Sequence, residues 1–164
     1  MESLDQRLLR AMRTRGHSPG IESAAVALGK AGNNGLIWVI LGVVLALLDP
    51  SRRESWLICA ALGPIAICLN YGIKVLVRRP RPVLEGLPPL GGAPSSLSFP
   101  SAHATSSFAV AVAMYRVDPA TAGTFAVAAA LSLGRPYLGM HYPSDVLAGV
   151  FLGVVLGLLV PLSL

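Results

Sequence analysis

The sequence predicts an all-α fold: a polytopic membrane helix bundle of about five transmembrane helices, with an N-terminal amphipathic interfacial helix. Two observations carry this. Of the 164 residues, 54% are hydrophobic and only 13% charged, against roughly 25% charged in a typical soluble domain. A chain this short cannot enclose so large an apolar share in one core, because small domains leave much of their surface exposed; lipid must solvate part of it. The apolar residues also fall into runs near the ~17–25 residues that a spanning helix needs. One domain, 1–164, is expected, with interfacial helices over 1–30 and a transmembrane core over 31–164.

In chain order, residues 3–15 place Leu4, Leu8 and Met12 on one helical face and Arg7, Arg10 and Arg13 near the other, the pattern of a helix lying on a membrane surface. No apolar stretch and small-residue cleavage site follow the four N-terminal arginines, so a cleaved leader is not expected. Gly16 to Gly20 end that helix, and residues 21–30, with Glu22 and Lys30, read as a second helix too short and polar to span. Five apolar segments follow, from about Ala31 to Leu48, Ser55 to Val77, Ser101 to Val117, Pro119 to Gly134 and Pro143 to Leu164. Polar and proline punctuation separates them at 49–54 and 117–119. The longest connection, Arg78 to Pro100, carries Pro80, Pro82, Pro88, Pro89, Pro94 and Pro100 with a Gly91-Gly92 pair; loops of that length inside a compact domain are commonly functional. Cys59 and Cys68 face opposite sides of one helix, so neither a disulfide nor a metal site is expected of them.

In so apolar a chain the ionisable residues at helix ends are the informative ones, because an unpaired charge near lipid is costly. They form three clusters: Lys74 to Pro82 leaving the second segment, Phe99-Pro100-Ser101-Ala102-His103 entering the third, and Gly134-Arg135 to His141 and Asp145 between the fourth and fifth. Antiparallel alternation of the segments puts all three on one membrane face. Together they offer a lysine, several arginines, two histidines and a carboxylate, a set suited to phosphate-ester chemistry without a metal. Cations and helix N-terminal N–H groups would bind phosphoryl oxygens, one histidine would attack, and another would protonate the leaving oxygen. Ser101 is placed to cap the third helix, and Pro143 suits the first turn of the fifth. His141 then stands just ahead of that helix, with Asp145 in its first turn to orient the imidazole.

On these residues the chain resembles the type 2 phosphatidic acid phosphatase superfamily, whose signature is K-x6-RP, then PSGH, then SR-x5-H-x3-D. Lys74, Arg81 and Pro82 match the first motif in full, Pro100-Ser101-Ala102-His103 follow the second, and Gly134-Arg135, His141 and Asp145 follow the third. The resemblance implies a membrane lipid phosphatase in which His141 is the nucleophile forming a phosphohistidine, Asp145 orients it, and His103 is the general acid. Lys74, Arg81, Ser101, Arg135 and the backbone near Ala102 would bind phosphate, with no metal and no cofactor. Ala102 stands where the family has Gly, a small-for-small change unless the position needs a positive φ. Gly134 stands where the family has Ser, removing one hydroxyl donor worth about 0.5–1.5 kcal/mol.

Among compact members the chain is similar to actinobacterial decaprenylphosphoryl-5-phosphoribose phosphatases. That implies hydrolysis of a polyprenyl-linked phosphate monoester in cell-wall arabinan precursor synthesis; polyprenyl (undecaprenyl) diphosphate and phosphatidylglycerol phosphate are alternative substrates. Haloperoxidases, which hold vanadate in a similar pocket, are large and soluble, whereas this chain is short and apolar. A non-catalytic scaffold in a membrane enzyme complex is the alternative of another class. The expected partners are the lipid-linked phosphate substrate and membrane lipids, not nucleic acid, together with a second membrane enzyme of the pathway or another copy of the chain.

Outside the motifs, Arg78 and Arg79 read as interfacial anchors or as site residues, and His17 as a solvated turn histidine. Asn70 either orients Lys74 or bonds a neighbouring helix, and Gly42, Gly63, Gly149, Gly153 and Gly157 read as close-packing positions. Ten of the thirteen Lys and Arg fall on the site-bearing side, leaving Arg52, Arg53 and Arg116 opposite. By the positive-inside rule the chain is expected in the cell (inner/plasma) membrane with its site on the cytoplasmic face.

Overall fold

The structure is a computed structural model that describes residues 3–92 and 96–163; Pro94 and Leu164, named above, lie outside the described residues. Seven α-helices are present among the described residues: α1 Leu4–Thr14, α2 Pro19–Ala31, α3 Leu36–Leu48, α4 Arg53–Val77, α5 Ala102–Val117, α6 Thr124–Tyr137 and α7 Pro143–Leu159. Local sequence accounts for several of their ends. Ser3 and Gln6 form a reciprocal cap on α1, the Ser3 Oγ accepting from Gln6 N at 3.2 Å and Gln6 Oε1 from Ser3 N at 2.8 Å. Ser18 caps α2 ahead of Pro19. The run Gly32-Asn33-Asn34-Gly35 then breaks the chain, with Asn34 at φ 55° and Gly35 at φ 72°, so that α2 and α3 meet at a bend of 53°.

Helix α5 forms the axis of the bundle. Most of its residues are buried, and α4, α6 and α7 pack around it. Its approach to α7 depends on the glycine stripe: a Cβ at Gly149, Gly153 or Gly157 would lie 2.5–2.6 Å from the carbonyl oxygens of Ser101, Thr105 and Ala109. Gly42 plays the same part between α3 and α4, where a Cβ would come within 2.7 Å of the Ala60 Cβ. Gly63 does not, because a Cβ there meets nothing closer than 3.6 Å. Trp38, Trp56, Met114 and Leu131 fill the core between the helices, and Trp38 Nε1 donates to Ser107 Oγ at 3.0 Å. Leu48, Leu76, Leu147, Phe151 and Leu159 point outward as exposed side chains, the surface expected to meet lipid.

All five apolar segments become helices, four with shorter bounds than expected and the second, α4, two residues longer. By length and composition one helical stretch, Pro50–Val77, can cross a membrane among the described residues, and the bent α2–α3 pair passes the same test together. The fourth segment opens as a 3₁₀ turn, Pro119–Gly123, capped by Asp118, which leaves fourteen residues for α6. Helix α1 departs from its expected face. Leu9 and Arg13 are buried while Leu4 and Leu8 are exposed, because α1 docks against the ends of α6 and α7 and Arg13 donates to the Pro88 carbonyl at 2.8 Å. The helix therefore rests on protein with one face and presents Leu4 and Leu8 outward.

Gly153→Ala tests the close approach. Despite the better helix propensity of alanine, the clash with the Thr105 carbonyl is expected to cost about 1–3 kcal/mol, read as a lower thermal midpoint in neutral detergent. Gly134→Ala, where a Cβ meets nothing within 4 Å, should show no such drop.

Candidate active site

The three sequence clusters meet at one end of the bundle. Lys74, Arg81, Ala102, His103, Arg135 and His141 line a pocket of about 130 Å³, joined by Asn33, Asn34 and Ser96. A larger apolar hollow of about 740 Å³ lies along the 80–89 turn and shares only Arg81 and Ser96 with this pocket; the smaller cavity gathers the chemistry. Each wall is fixed by bonds between distant segments. Lys74, in the last turn of α4, donates from Nζ to the Leu97 carbonyl at 2.6 Å and the Ser98 carbonyl at 3.2 Å. Arg81 donates to the Met140 carbonyl at 2.6 Å and the Ser96 carbonyl at 2.7 Å, clamping the long loop onto the α6–α7 turn.

Arg81 Nη1 also stands 3.2 Å from His141 Nε2. A guanidinium only donates, so Nε2 must carry its lone pair on this side and the ring proton belongs on Nδ1. Nε2 thus carries the lone pair, on a ring that lines the pocket. Nδ1 lies 3.5 Å from Asp145 Oδ2 and makes no hydrogen bond of good geometry, so the expected orienting contact is a long one. The buried imidazole is 2% exposed, and burial pushes its pKa down to about 3 against the opposing pull of Asp145, which keeps it neutral.

Asp145 is buried and fully engaged. Its Oδ1 accepts from Arg79 Nη1 at 2.7 Å, and its Oδ2 accepts from Ser98 Oγ and from Tyr142 N, the latter at 2.9 Å. Arg79 is therefore no simple lipid anchor. It also donates to Ser144 Oγ and Asp5 Oδ2, each at 2.7 Å, and lies 4.1 Å over the Tyr142 ring. Asp5 belongs to α1, so this arginine joins the interfacial helix to the site. Burial pushes the Asp5 carboxyl up, yet bonds from Ser144 and Arg79 outweigh it and hold the carboxyl below its ordinary range. Arg78 stays exposed and bonds only within its own turn, to the Val75 carbonyl at 3.1 Å.

Other expectations meet mixed outcomes. His103, in the first turn of α5, donates from Nε2 to the Gly29 carbonyl at 3.0 Å, a contact that Gly32 permits because a Cβ there would lie 3.0 Å from the ring. Ala102 is not among the positive-φ residues, so alanine serves in place of glycine. Ser101 holds the N-cap position without a side-chain cap; its backbone N–H is committed to the Asp145 carbonyl at 2.9 Å, and its buried Oγ has no partner among the described residues. Arg135 is 5% exposed with its Nε likewise unpartnered. Asn70 donates to Thr105 Oγ1 at 2.9 Å, the helix-to-helix option. His17 is packed rather than solvated: its nitrogens lie 2.8 Å from Glu22 Oε1 and 3.0 Å from the Met12 carbonyl, and its ring stacks on Tyr137 at 4.0 Å.

Sequence reasoning missed Asp5, Asn33, Asn34 and Ser96. The Gly-Asn-Asn-Gly run was a signal for a break, since asparagine and glycine tolerate the left-handed region, but nothing local says that the break faces the pocket.

The profile of the PAP2 superfamily matches residues 54–164. The chain belongs to the PAP2 superfamily. It is 40% identical over 142 residues to the decaprenylphosphoryl-5-phosphoribose phosphatase of Mycobacterium tuberculosis strain H37Rv, covering 87% of this chain and 80% of that one. Two solved structures share the fold. The structure of Aquifex aeolicus LpxE superposes with a TM-score of 0.75 at 20% identity, over 96% of this chain and 94% of its own. That of the PAP2 type phosphatidylglycerolphosphate phosphatase from Bacillus subtilis gives 0.73 at 24% identity, over 94% and 81%. Both neighbours share the all-helical fold of the PAP2 protein.

The buried neutral His141 makes a pH prediction for this PAP2 protein. Its native pKa lies below the ordinary 6.5, so on acidification the unfolded chain takes up the proton first. Its contribution to stability is full above about pH 6.5 and is lost as pH falls toward about 3. Thermal midpoints of the wild type should fall through this window, and those of His141→Gln should fall less steeply.

Proposed function

We propose that this PAP2 protein hydrolyses a lipid-linked phosphate monoester by way of a phosphohistidine on His141, and that its substrate is decaprenylphosphoryl-5-phosphoribose. The observation that carries the chemistry is the His141 Nε2 lone pair facing a pocket walled by Lys74, Arg81 and Arg135. The cations neutralise the phosphoryl oxygens, and Nε2 attacks phosphorus as the bond to the ester oxygen breaks. His103, entering the step as an imidazolium that the bound phosphate dianion favours, gives its Nε2 proton to that leaving oxygen, which takes the place of the Gly29 carbonyl as its acceptor, and is left a neutral ring. Water then attacks phosphorus as the N–P bond breaks, neutral His103 takes the water proton to become imidazolium again, and inorganic phosphate leaves with His141 neutral. Asp145 and Arg79 position this ring from behind.

The identity of 40% with relatives of that name supports the substrate. The surface supports a lipid: an apolar groove of about 430 Å³ between α3 and α6 is lined by Ile37, Leu41, Val44 and Val127 and begins about one turn beyond Asn33. Phosphate release by the purified protein in EDTA tests the chemistry. His141→Ala should lose a factor on the order of 10⁴–10⁶ and His103→Ala about 10²–10⁴. Full activity in the first variant refutes the nucleophile, and inactivity of the wild type favours a scaffold. Turnover of the polyprenyl phosphoribose lipid should exceed that of undecaprenyl diphosphate and phosphatidylglycerol phosphate; equal turnover of all three overturns the substrate assignment.

The membrane orientation belongs to the same proposal. Helices α4 and α6 end, and α5 and α7 begin, at the pocket, so the C-terminus lies at the other end of the bundle from the site. With ten of thirteen cations on the site side, the site faces the cytoplasm. A reporter fused to the C-terminus should read extracytoplasmic, and a cytoplasmic reading reverses the orientation.

A further inference from the structure

A second polar cavity, of about 150 Å³, adjoins the catalytic pocket between α2 and the end of α6. It shares Asn33 and Arg135 with that pocket and adds Lys30, with Val26, Gly29, Leu138, Met140 and the Gly91-Gly92 pair forming its remaining wall. We infer that this cavity is a second anion subsite, holding the phosphodiester that links the lipid to the sugar while the phosphate monoester sits against His141. The inference rests on the lipid-phosphoribose reading above, since that substrate carries two phosphates separated by a ribose.

Arg135 carries the case. It is 5% exposed, its guanidinium makes no hydrogen bond or ion pair with any described residue, and its Nε is buried without a partner among them. A buried, unpaired guanidinium is costly unless an anion compensates it. Its donors form a fork that can serve two anions at once, and the residue stands in the wall common to both cavities. The catalytic phosphate already has Lys74 and Arg81, so Arg135 has donors to spare for a second group.

The surroundings fit. The α2 backbone comes close at Gly29, where a Cβ would lie 3.0 Å from Arg135 Nη1. Lys30 stands exposed at the rim and pairs with no described residue, so a charge is available there without breaking an existing bond. Asn33, common to both cavities, offers a neutral donor and acceptor where a sugar hydroxyl would lie. The apolar groove between α3 and α6, lined from Ile37 onward, offers an apolar surface to the hydrocarbon chain of a lipid phosphodiester. A lipid with one phosphate would leave the second cavity unfilled.

The test uses soluble headgroup analogues with the full chain in neutral detergent. Ribose 1,5-bisphosphate should compete with a lipid substrate about tenfold more tightly than ribose 5-phosphate, as expected for one added charge-assisted contact. Lys30→Glu should remove most of that advantage while the ribose 5-phosphate constant changes far less. Equal inhibition by the two sugars in the wild type, or an advantage undiminished in Lys30→Glu, overturns the subsite. If adding phosphatidylglycerol to the micelles removes the wild-type advantage, the cavity takes bilayer headgroups and the proposal falls. The substrate assignment is read separately from turnover of the lipids by the wild type, so it can fail while the subsite stands, or the reverse.

Discussion

The buried carboxylate of Asp145 is the constraint on which the end of the bundle depends. A carboxylate removed from water needs compensating donors and charge, and here they come from three places: Arg79 after α4, Ser98 near the end of the long loop, and the turn ahead of α7 through Tyr142 and, at longer range, His141. The same residue's backbone carbonyl takes the Ser101 N–H at the start of α5. One residue, through its side chain and its carbonyl, thus ties the loop, two helix starts and the end of α4 into a single arrangement. Through Arg79 it reaches Asp5 and so α1. The geometry of the pocket follows from satisfying this one charge.

The bundle below supplies rigidity. The Gly149, Gly153 and Gly157 stripe brings α7 against the α5 backbone, which sets where His103 and Asp145 stand relative to each other. Close packing of this kind replaces the hydrophobic drive that lipid weakens between helices. The pocket end is then closed by polar clamps, Lys74 onto the loop carbonyls and Arg81 onto the Met140 carbonyl. Lysine and arginine here hold the loop and face the pocket at once, so the same charges that build the site are available to a phosphate.

The membrane-surface helix takes on a different meaning in this setting. Its amphipathic pattern suggested a passive float, yet Leu9 and Arg13 are buried and Asp5 meets both Arg79 and Ser144. Leu4 and Leu8 remain exposed. Docking α1 on the bundle and positioning Asp145 thereby become parts of one network. Arg79 illustrates why this was hidden: in sequence it is one arginine of a basic run beside a proline loop, with nothing to distinguish it from the exposed Arg78.

The sequence by itself determined the all-helical membrane class, the family and the ionisable residues that line the pocket. Composition, apolar run length and motif spacing are local properties, legible without knowing any packing. It also determined that Lys74, Arg81, His103, Arg135 and His141 share one end, because alternating helices leave no other choice. Tertiary structure alone decided who partners whom. It gave Asp145 to Arg79 as a short contact and to His141 as a long one, left Ser101 uncapping, packed His17 on Tyr137, and turned the Asn33-Asn34 break into a pocket wall. Those outcomes depend on the rotation and approach of helices far apart in the chain. A hydrogen bond forms only within a few tenths of an ångström of ideal separation, a tolerance that residue spacing does not specify.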